Sequence, residues 1–297
     1  MITLFPNTLS KAQPVPDQTE ILQVALCRVR EGSTQTVQDS IAIEEPLEIR
    51  LGKRSISITM RTPGYDFELA AGFLFTEGII QGPQEIQRIQ YCGPDLETQP
   101  QTNTVRVELR ADVQVDLERL NRHFYTSSSC GVCGKSSIEA LKTQSIFPIA
   151  QPAIDDKSID VETLYELPEA LRRAQGVFDA TGGIHASALF SPQGELLVLR
   201  EDVGRHNALD KLIGHSLLKN LLPLKNSILM VSGRASFELI QKASMAGITI
   251  FAAVGAPSSL AIELAKECGM TLLGFVRNRG FNIYSHETRI RVPKDFQ

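Results

Sequence analysis

The sequence predicts an α/β protein in two parts: an α+β part over residues 1–145 with an antiparallel sheet, and a part over residues 146–297 in which helices alternate with strands. Three observations carry this. Between Ile21 and Met60 the apolar residues follow a strand's period of two. Beyond Asn207, helical segments alternate with short apolar runs, the rhythm of a partly parallel α/β layer. Residues 143–160 carry Pro148, Pro152, a Gln-Pro pair and no apolar period, which marks a domain edge. At 297 residues, 42% hydrophobic and 22% charged, the chain is long enough to bury a sizeable core.

In the first part, ILQVALCRVR, IAIEEPLEIRL and ISITM read as strands, with a hairpin connection at Leu51-Gly52-Lys53-Arg54. The segment TPGYDFELAAGFLFTEG changes period. Asp66 is expected to cap a helix from Phe67, with Leu69, Gly72, Phe73 and Thr76 along one face and Gly78 ending it. Strands at Ile86–Tyr91 and Thr104–Leu109 follow. In the second part, strands at 184–190 and 195–200 flank the turn Ser191-Pro192-Gln193-Gly194. Helices near 207–217, 237–246 and 259–267 then alternate with strands at 228–231, 248–254 and 271–276.

Composition excludes several classes of function. Thirty Lys and Arg against 34 Asp and Glu leave a net charge of −4, so the chain lacks the basic balance of a dedicated nucleic-acid or acidic-membrane binder. No apolar run approaches membrane-spanning length. The N-terminal stretch lacks the basic start and continuous apolar core of a signal peptide, which points to the cytoplasm. The five cysteines are Cys27, Cys92, Cys130, Cys133 and Cys268. An odd number without an export signal argues against a disulfide framework and for a reducing compartment. Cys27, Cys92 and Cys268 read as packing residues.

Cys130 and Cys133 lie in Ser127-Ser128-Ser129-Cys130-Gly131-Val132-Cys133-Gly134-Lys135-Ser136-Ser137-Ile138-Glu139. Ser136 and Glu139 form an S-x-x-E capping box, so a helix is expected from about Ser137. Cysteines just before a helix N-terminus and beside Lys135 favour thiolate over thiol. The residues leave four readings open. Structural zinc needs two further ligands, for which Cys92 and His123 are the candidates. A thioredoxin-like site should follow a core strand, whereas this one follows NRHFYTSSS. Two inert loop cysteines are the third reading, and a sulfur-relay cysteine the fourth. A phosphate-binding loop ending in Gly134-Lys135-Ser136 is discarded, because its first glycine falls at Ser129.

The blocks Thr62-Pro63-Gly64-Tyr65-Asp66, Gly72-Phe73-Leu74-Phe75-Thr76-Glu77-Gly78-Ile79-Ile80 and Ser129-Cys130-Gly131-Val132-Cys133-Gly134 are similar to those of a known family. So are Thr181-Gly182-Gly183-Ile184-His185, the run from Arg200 to Lys211, the run from Ser232 to Glu238, and Phe275-Val276-Arg277. The chain resembles the FdhD family, sulfur carriers needed for active formate dehydrogenase, from about residue 36 to about residue 285. The resemblance implies a cytoplasmic sulfurtransferase. It would take a sulfane sulfur from a cysteine desulfurase as a cysteine persulfide and deliver it to the molybdenum or tungsten of bis-molybdopterin guanine dinucleotide, before that cofactor enters formate dehydrogenase. Carried over by motif, Cys130 is the persulfide carrier and Cys133 an assisting partner, and the cofactor-binding stretch is Phe275, Val276, Arg277, Asn278, Arg279 and Gly280. A homodimer is implied, and no resident metal.

A pyrophosphate calls for cations and for backbone amides at helix N-termini. Val203-Gly204-Arg205-His206-Asn207 and Ser232-Gly233-Arg234-Ala235 each put Gly, Arg and a helix start after an apolar strand, so Gly204, Arg205, His206, Gly233 and Arg234 form a second rank of phosphate candidates. Against this, an arginine after a strand is more often a solvated or surface-paired charge. His185 reads as a core histidine or one behind the site, the role of His206 stays open, and His123, His215 and His286 carry no signal. The second part also resembles the cytidine-deaminase-like fold. A zinc deaminase needs H-x-E and P-C-x-x-C, but His206-Asn207-Ala208 lacks the glutamate and Ser232-Gly233-Arg234-Ala235-Ser236 lacks both cysteines, so no zinc site is expected. Two rivals remain: a non-enzymatic escort of the cofactor or its apo-enzyme, and a zinc-stabilised interaction module.

Overall fold

The structure is a computed structural model and describes residues 20–93, 103–115, 145–149 and 158–292. Cys130, Cys133 and the helix expected from Ser137 lie outside them. The chain is a mixed α/β protein.

Strands β1 (Ile21–Arg30) and β2 (Ser33–Ala42) form an antiparallel ribbon of their own. The segment expected as one strand from residue 41 to 51 is therefore split, and the amide of Ile43 closes the ribbon on the carbonyl of Glu20 at 2.9 Å. The polar start of β2 shows no alternation because both ribbon faces are largely exposed. Cys27, expected to pack, is exposed on β1, whereas Cys268 packs against the main core.

Strands β3 (Glu45–Leu51), β4 (Arg54–Arg61), β5 (Ile86–Tyr91) and β6 (Thr104–Leu109) form a four-stranded sheet in the order β4-β3-β6-β5. Helix α1 (Asp66–Thr76) carries the chain from β4 to the far edge, which makes β3 and β6 parallel in a sheet expected to be antiparallel. Asp66 does not cap α1. The cap position is Tyr65, in the left-handed region at φ 57°, because the Asp66 carboxylate is buried against Arg61 at 3.0 Å. Gly78, at φ 71°, ends the helix as expected.

The second part builds a six-stranded sheet in the order β13-β12-β11-β10-β8-β9. Its strands are β8 (His185–Phe190), β9 (Leu196–Asp202), β10 (Ile228–Val231), β11 (Ile250–Ala253), β12 (Thr271–Arg277) and β13 (Gly280–Ser285). The middle strands β10, β11 and β12 are parallel. Both faces of the sheet are covered, so these strands read as continuous apolar runs. Ile228, Met230, Ile250 and Ala252 face α2 (Val161–Ala174) in one cluster. Leu229, Val231, Phe251 and Ala253 face α4 (Arg205–Leu218), α5 (Phe237–Met245) and α6 (Ser259–Glu267) in the other. The short helix α3 (Gly176–Thr181) joins α2 to β8. Outside the sheet, β7 (Ile159–Asp160) pairs with β14 (Ile290–Arg291).

The larger cluster also holds Leu69, Leu74 and Phe75 of α1 and Leu47, Ile49, Val105 and Val107 of the four-stranded sheet. The halves meet where α1 crosses α4 at Gly72 and Gly214. A Cβ on Gly72 would overlap the carbonyl of Asp210, and one on Gly214 the carbonyl of Glu68. No side chain fits between the two backbones, which fixes how deeply the helices interlock.

Candidate functional site

The site is built on a buried ionic seam. Lys211 of α4 meets Asp202, the last residue of β9, at 2.7 Å with both side chains wholly buried. The Asp202 carboxylate also accepts from the amides of Thr62 (3.2 Å) and Gly204 (2.8 Å) and from Asn207 Nδ2 (3.0 Å). Asn207 Nδ2 in turn donates to the carbonyl of Met60 at 2.7 Å. One turn further along α4, Lys242 of α5 lies between Asp210 (3.0 Å), Glu77 (2.9 Å) and Thr76 Oγ1 (2.9 Å). Burial alone would pull the Lys242 ammonium down, but the charges of Asp210 and Glu77 outweigh it and hold the group above its ordinary range. On the outer side, Arg200 and His215 both engage Glu68 of α1. Burial pushes the Glu68 carboxyl up, yet the hydrogen bonds of His215 and Arg200 prevail and leave it lowered.

Because Gly204 hangs from Asp202, the seam sets where the chain turns from β9 into α4. That turn opens on one edge of the six-stranded sheet. The parallel strands β10, β11 and β12 run toward this edge, β8 starts there and β9 ends there, as the pairing of His185 with Asp202 shows. Backbone bonds join the loops along it: Phe275 to Gly255 at 3.1 Å, and Gly255 to Gly233 at 2.9 Å. Gly233 faces the ring of His185, and a Cβ there would lie 3.5 Å from its Nδ1. Next along, His206 Nε2 meets Glu238 Oε2 at 2.8 Å and Ser236 Oγ at 3.5 Å. Thus Phe275 and Arg277, Gly233 and Arg234, and Gly204, Arg205 and His206 share one edge, together with the first turns of α4 and α5. Among the described residues, Arg205, Arg234 and Arg277 have no ion-pair partner. Arg277 lies 5.7 Å from the ring of Phe275.

The first-rank stretch divides. Val276 is wholly buried in the cluster under α2, so it offers only backbone to the edge. Asn278 and Arg279, at φ 51° and 53°, form the two-residue turn between β12 and β13, where Arg277 pairs with Gly280. Arg279 turns toward α2, where it meets Glu162 at 2.5 Å and Glu166 at 3.3 Å and lies over Tyr165. Phe275 has φ 54° at a register shift of β12, an unusual conformation for a bulky side chain. This turn is a hairpin rather than a helix start, and of the two guanidinium groups Arg277 alone has no carboxylate among the described residues.

Two residues given no part from sequence, Glu238 and Glu201, belong to the edge or its support, and His185, read as a core histidine or one behind the site, joins them. His185 is half-buried against Gly233; burial lowers its affinity for a proton, and the charges of Arg205 and His206 lower it further. Glu238 partners His206, whose hydrogen bond lowers the Glu238 carboxyl. Glu201 accepts from the amides of Val177 (3.0 Å) and Phe178 (2.9 Å) and so fixes the start of α3, which leads into His185. All three lie in the quoted motif blocks, the one signal that marked them. Among the described residues no group of three His, Cys, Asp or Glu could hold a metal ion, and no helix is long and apolar enough to cross a membrane.

Fold and edge together define a class: an α/β protein that pairs its buried charges tightly and presents guanidinium groups and helix starts along one sheet edge, an arrangement suited to anionic ligands. The chain belongs to the FdhD/NarQ family, whose model matches residues 42–291. It is 51% identical over 267 residues to a protein of Streptomyces coelicolor named Sulfur carrier protein FdhD, covering 89% of this chain and 94% of that one. A protein of the same name from Sulfolobus acidocaldarius is 40% identical over 91% of this chain and 99% of its own. A crystal structure from Desulfotalea psychrophila, provisionally described as a formate dehydrogenase accessory protein, is similar with a TM-score of 0.68 and 26% identity. It covers 92% of this chain and 100% of that one.

Proposed function

We propose that this chain is a cytoplasmic sulfurtransferase, working as a homodimer, that carries sulfur on Cys130 to the molybdenum or tungsten of bis-molybdopterin guanine dinucleotide for formate dehydrogenase. The observation that carries the reading is the sheet edge, where Arg205, Arg234 and Arg277 lack carboxylate partners among the described residues beside two helix starts. Such an edge suits the pyrophosphates of a guanine dinucleotide. The names of the relatives support the sulfur-carrying half of the reading.

The chemistry divides one hard transfer into two. A Cys130 thiolate attacks the outer sulfur of a desulfurase persulfide; the S–S bond to the desulfurase breaks, and its cysteine leaves as a thiolate. Releasing that sulfur later as sulfide takes two electrons. Cys133 supplies them by attacking Cys130 Sγ and forming a disulfide. The cofactor is substrate here, and the edge binds and orients it. In cells lacking this protein, the wild-type chain is expected to restore formate dehydrogenase activity and Cys130→Ala to fail. Restoration by Cys130→Ala would favour a non-enzymatic escort.

A further inference from the structure

We propose that Glu238 is a positioning residue that holds His206 protonated against the pyrophosphate of the bound dinucleotide, so that binding at the edge takes up a proton. The inference rests on the edge being a dinucleotide site.

His206 and Glu238 come from the first turns of two different helices, α4 and α5, and meet at 2.8 Å in front of the strand ends. A carboxylate is out of place on an edge whose other charges are arginines, since it repels the anion those arginines suit. Its charge is tolerable there only if it is spent on a neighbour, and the imidazole is that neighbour. Ser236 Oγ, 3.5 Å from the same nitrogen, steadies the ring.

Arg205 and Arg234 stay cationic at every relevant pH. Lys242, one turn along α5 from Glu238, is engaged by Asp210 and Glu77. Asp202 is buried against Lys211. His185 is disfavoured as a cation by burial and by Arg205 and His206. Glu238, whose carboxyl is lowered by its hydrogen bond to His206, is the carboxylate in contact with the ring and so the group that balances an imidazolium. An incoming pyrophosphate adds negative charge near the ring, which favours the protonated form.

The probe is diguanosine pyrophosphate, whose diester phosphates do not titrate near neutrality, bound to the full chain at fixed ionic strength. Between about pH 5.5 and 8.5 wild-type affinity is expected to fall roughly tenfold as pH rises, with proton uptake seen by calorimetry in two buffers. Glu238→Gln moves that fall toward acid by about one pH unit, and His206→Gln binds weakly and without the fall. A flat wild-type profile with measurable binding overturns the proton coupling alone and leaves the dinucleotide reading standing. A fall that survives in His206→Gln belongs to another group, such as His185, and overturns the assignment. An unshifted fall in Glu238→Gln reduces the carboxylate to a structural role, against the proposal. Absence of binding at every pH overturns the coupling and the dinucleotide reading together.

Discussion

The seam between α1 and α4 and the edge of the six-stranded sheet draw on the same residue types to opposite ends. In the seam, Lys211 and Lys242 are buried and each meets a carboxylate within 3.0 Å. At the edge, Arg205, Arg234 and Arg277 have no carboxylate among the described residues, and His206 shares one. A buried charge without a partner is intolerable, so the seam specifies one geometry. A solvated guanidinium costs folding little, so its partner can be a ligand. The two regions meet at Asp202 and Gly204, so the stiffness of one fixes the position of the other.

The contrast predicts where substitutions act. Lys211→Met leaves the Asp202 carboxylate buried and unpaired, and should cost about 3–5 kcal/mol in chemical denaturation. Arg277→Ala should weaken binding of a guanine dinucleotide roughly tenfold while shifting stability by less than about 0.5 kcal/mol. Equal losses of stability from both substitutions would erase the distinction between seam and edge. The smallest effect concerns acid. Glu68 is lowered from its ordinary 4.5, so its contribution to stability is present above that value and is lost as pH falls through the lower value of the folded state. Glu68→Gln should therefore lower stability above that ordinary value and flatten the acid limb, so that the two profiles converge at low pH.

Much of the frame was legible in the sequence, for identifiable reasons. β10 and β11 are apolar throughout because both sheet faces are covered, and α6 starts at Ser258, whose Oγ accepts from the amide of Ala261. α2 is not legible although Val161, Leu164, Leu167 and Leu171 mark its buried side, since Pro168 interrupts the helical signal. Asp66 looked like a cap because local spacing cannot reveal that Arg61 takes its carboxylate. The seam was invisible for a similar reason. Thr76 meets Asp210, and Glu68 meets Arg200, across more than a hundred residues of chain. At the site, Gly204-Arg205 aligns with Gly233-Arg234 because β9 and β10, each antiparallel to the intervening β8, end at the same edge. The diversion of Arg279 to Glu162 is not legible, since it depends on the turn at Asn278 and on α2.

Intact-mass measurement after incubation with a cysteine desulfurase and cysteine tests whether Cys130 carries the sulfur. The wild type should gain one sulfur atom per chain, located at Cys130 and absent from Cys130→Ala. The same gain persisting in Cys130→Ala would contradict that role.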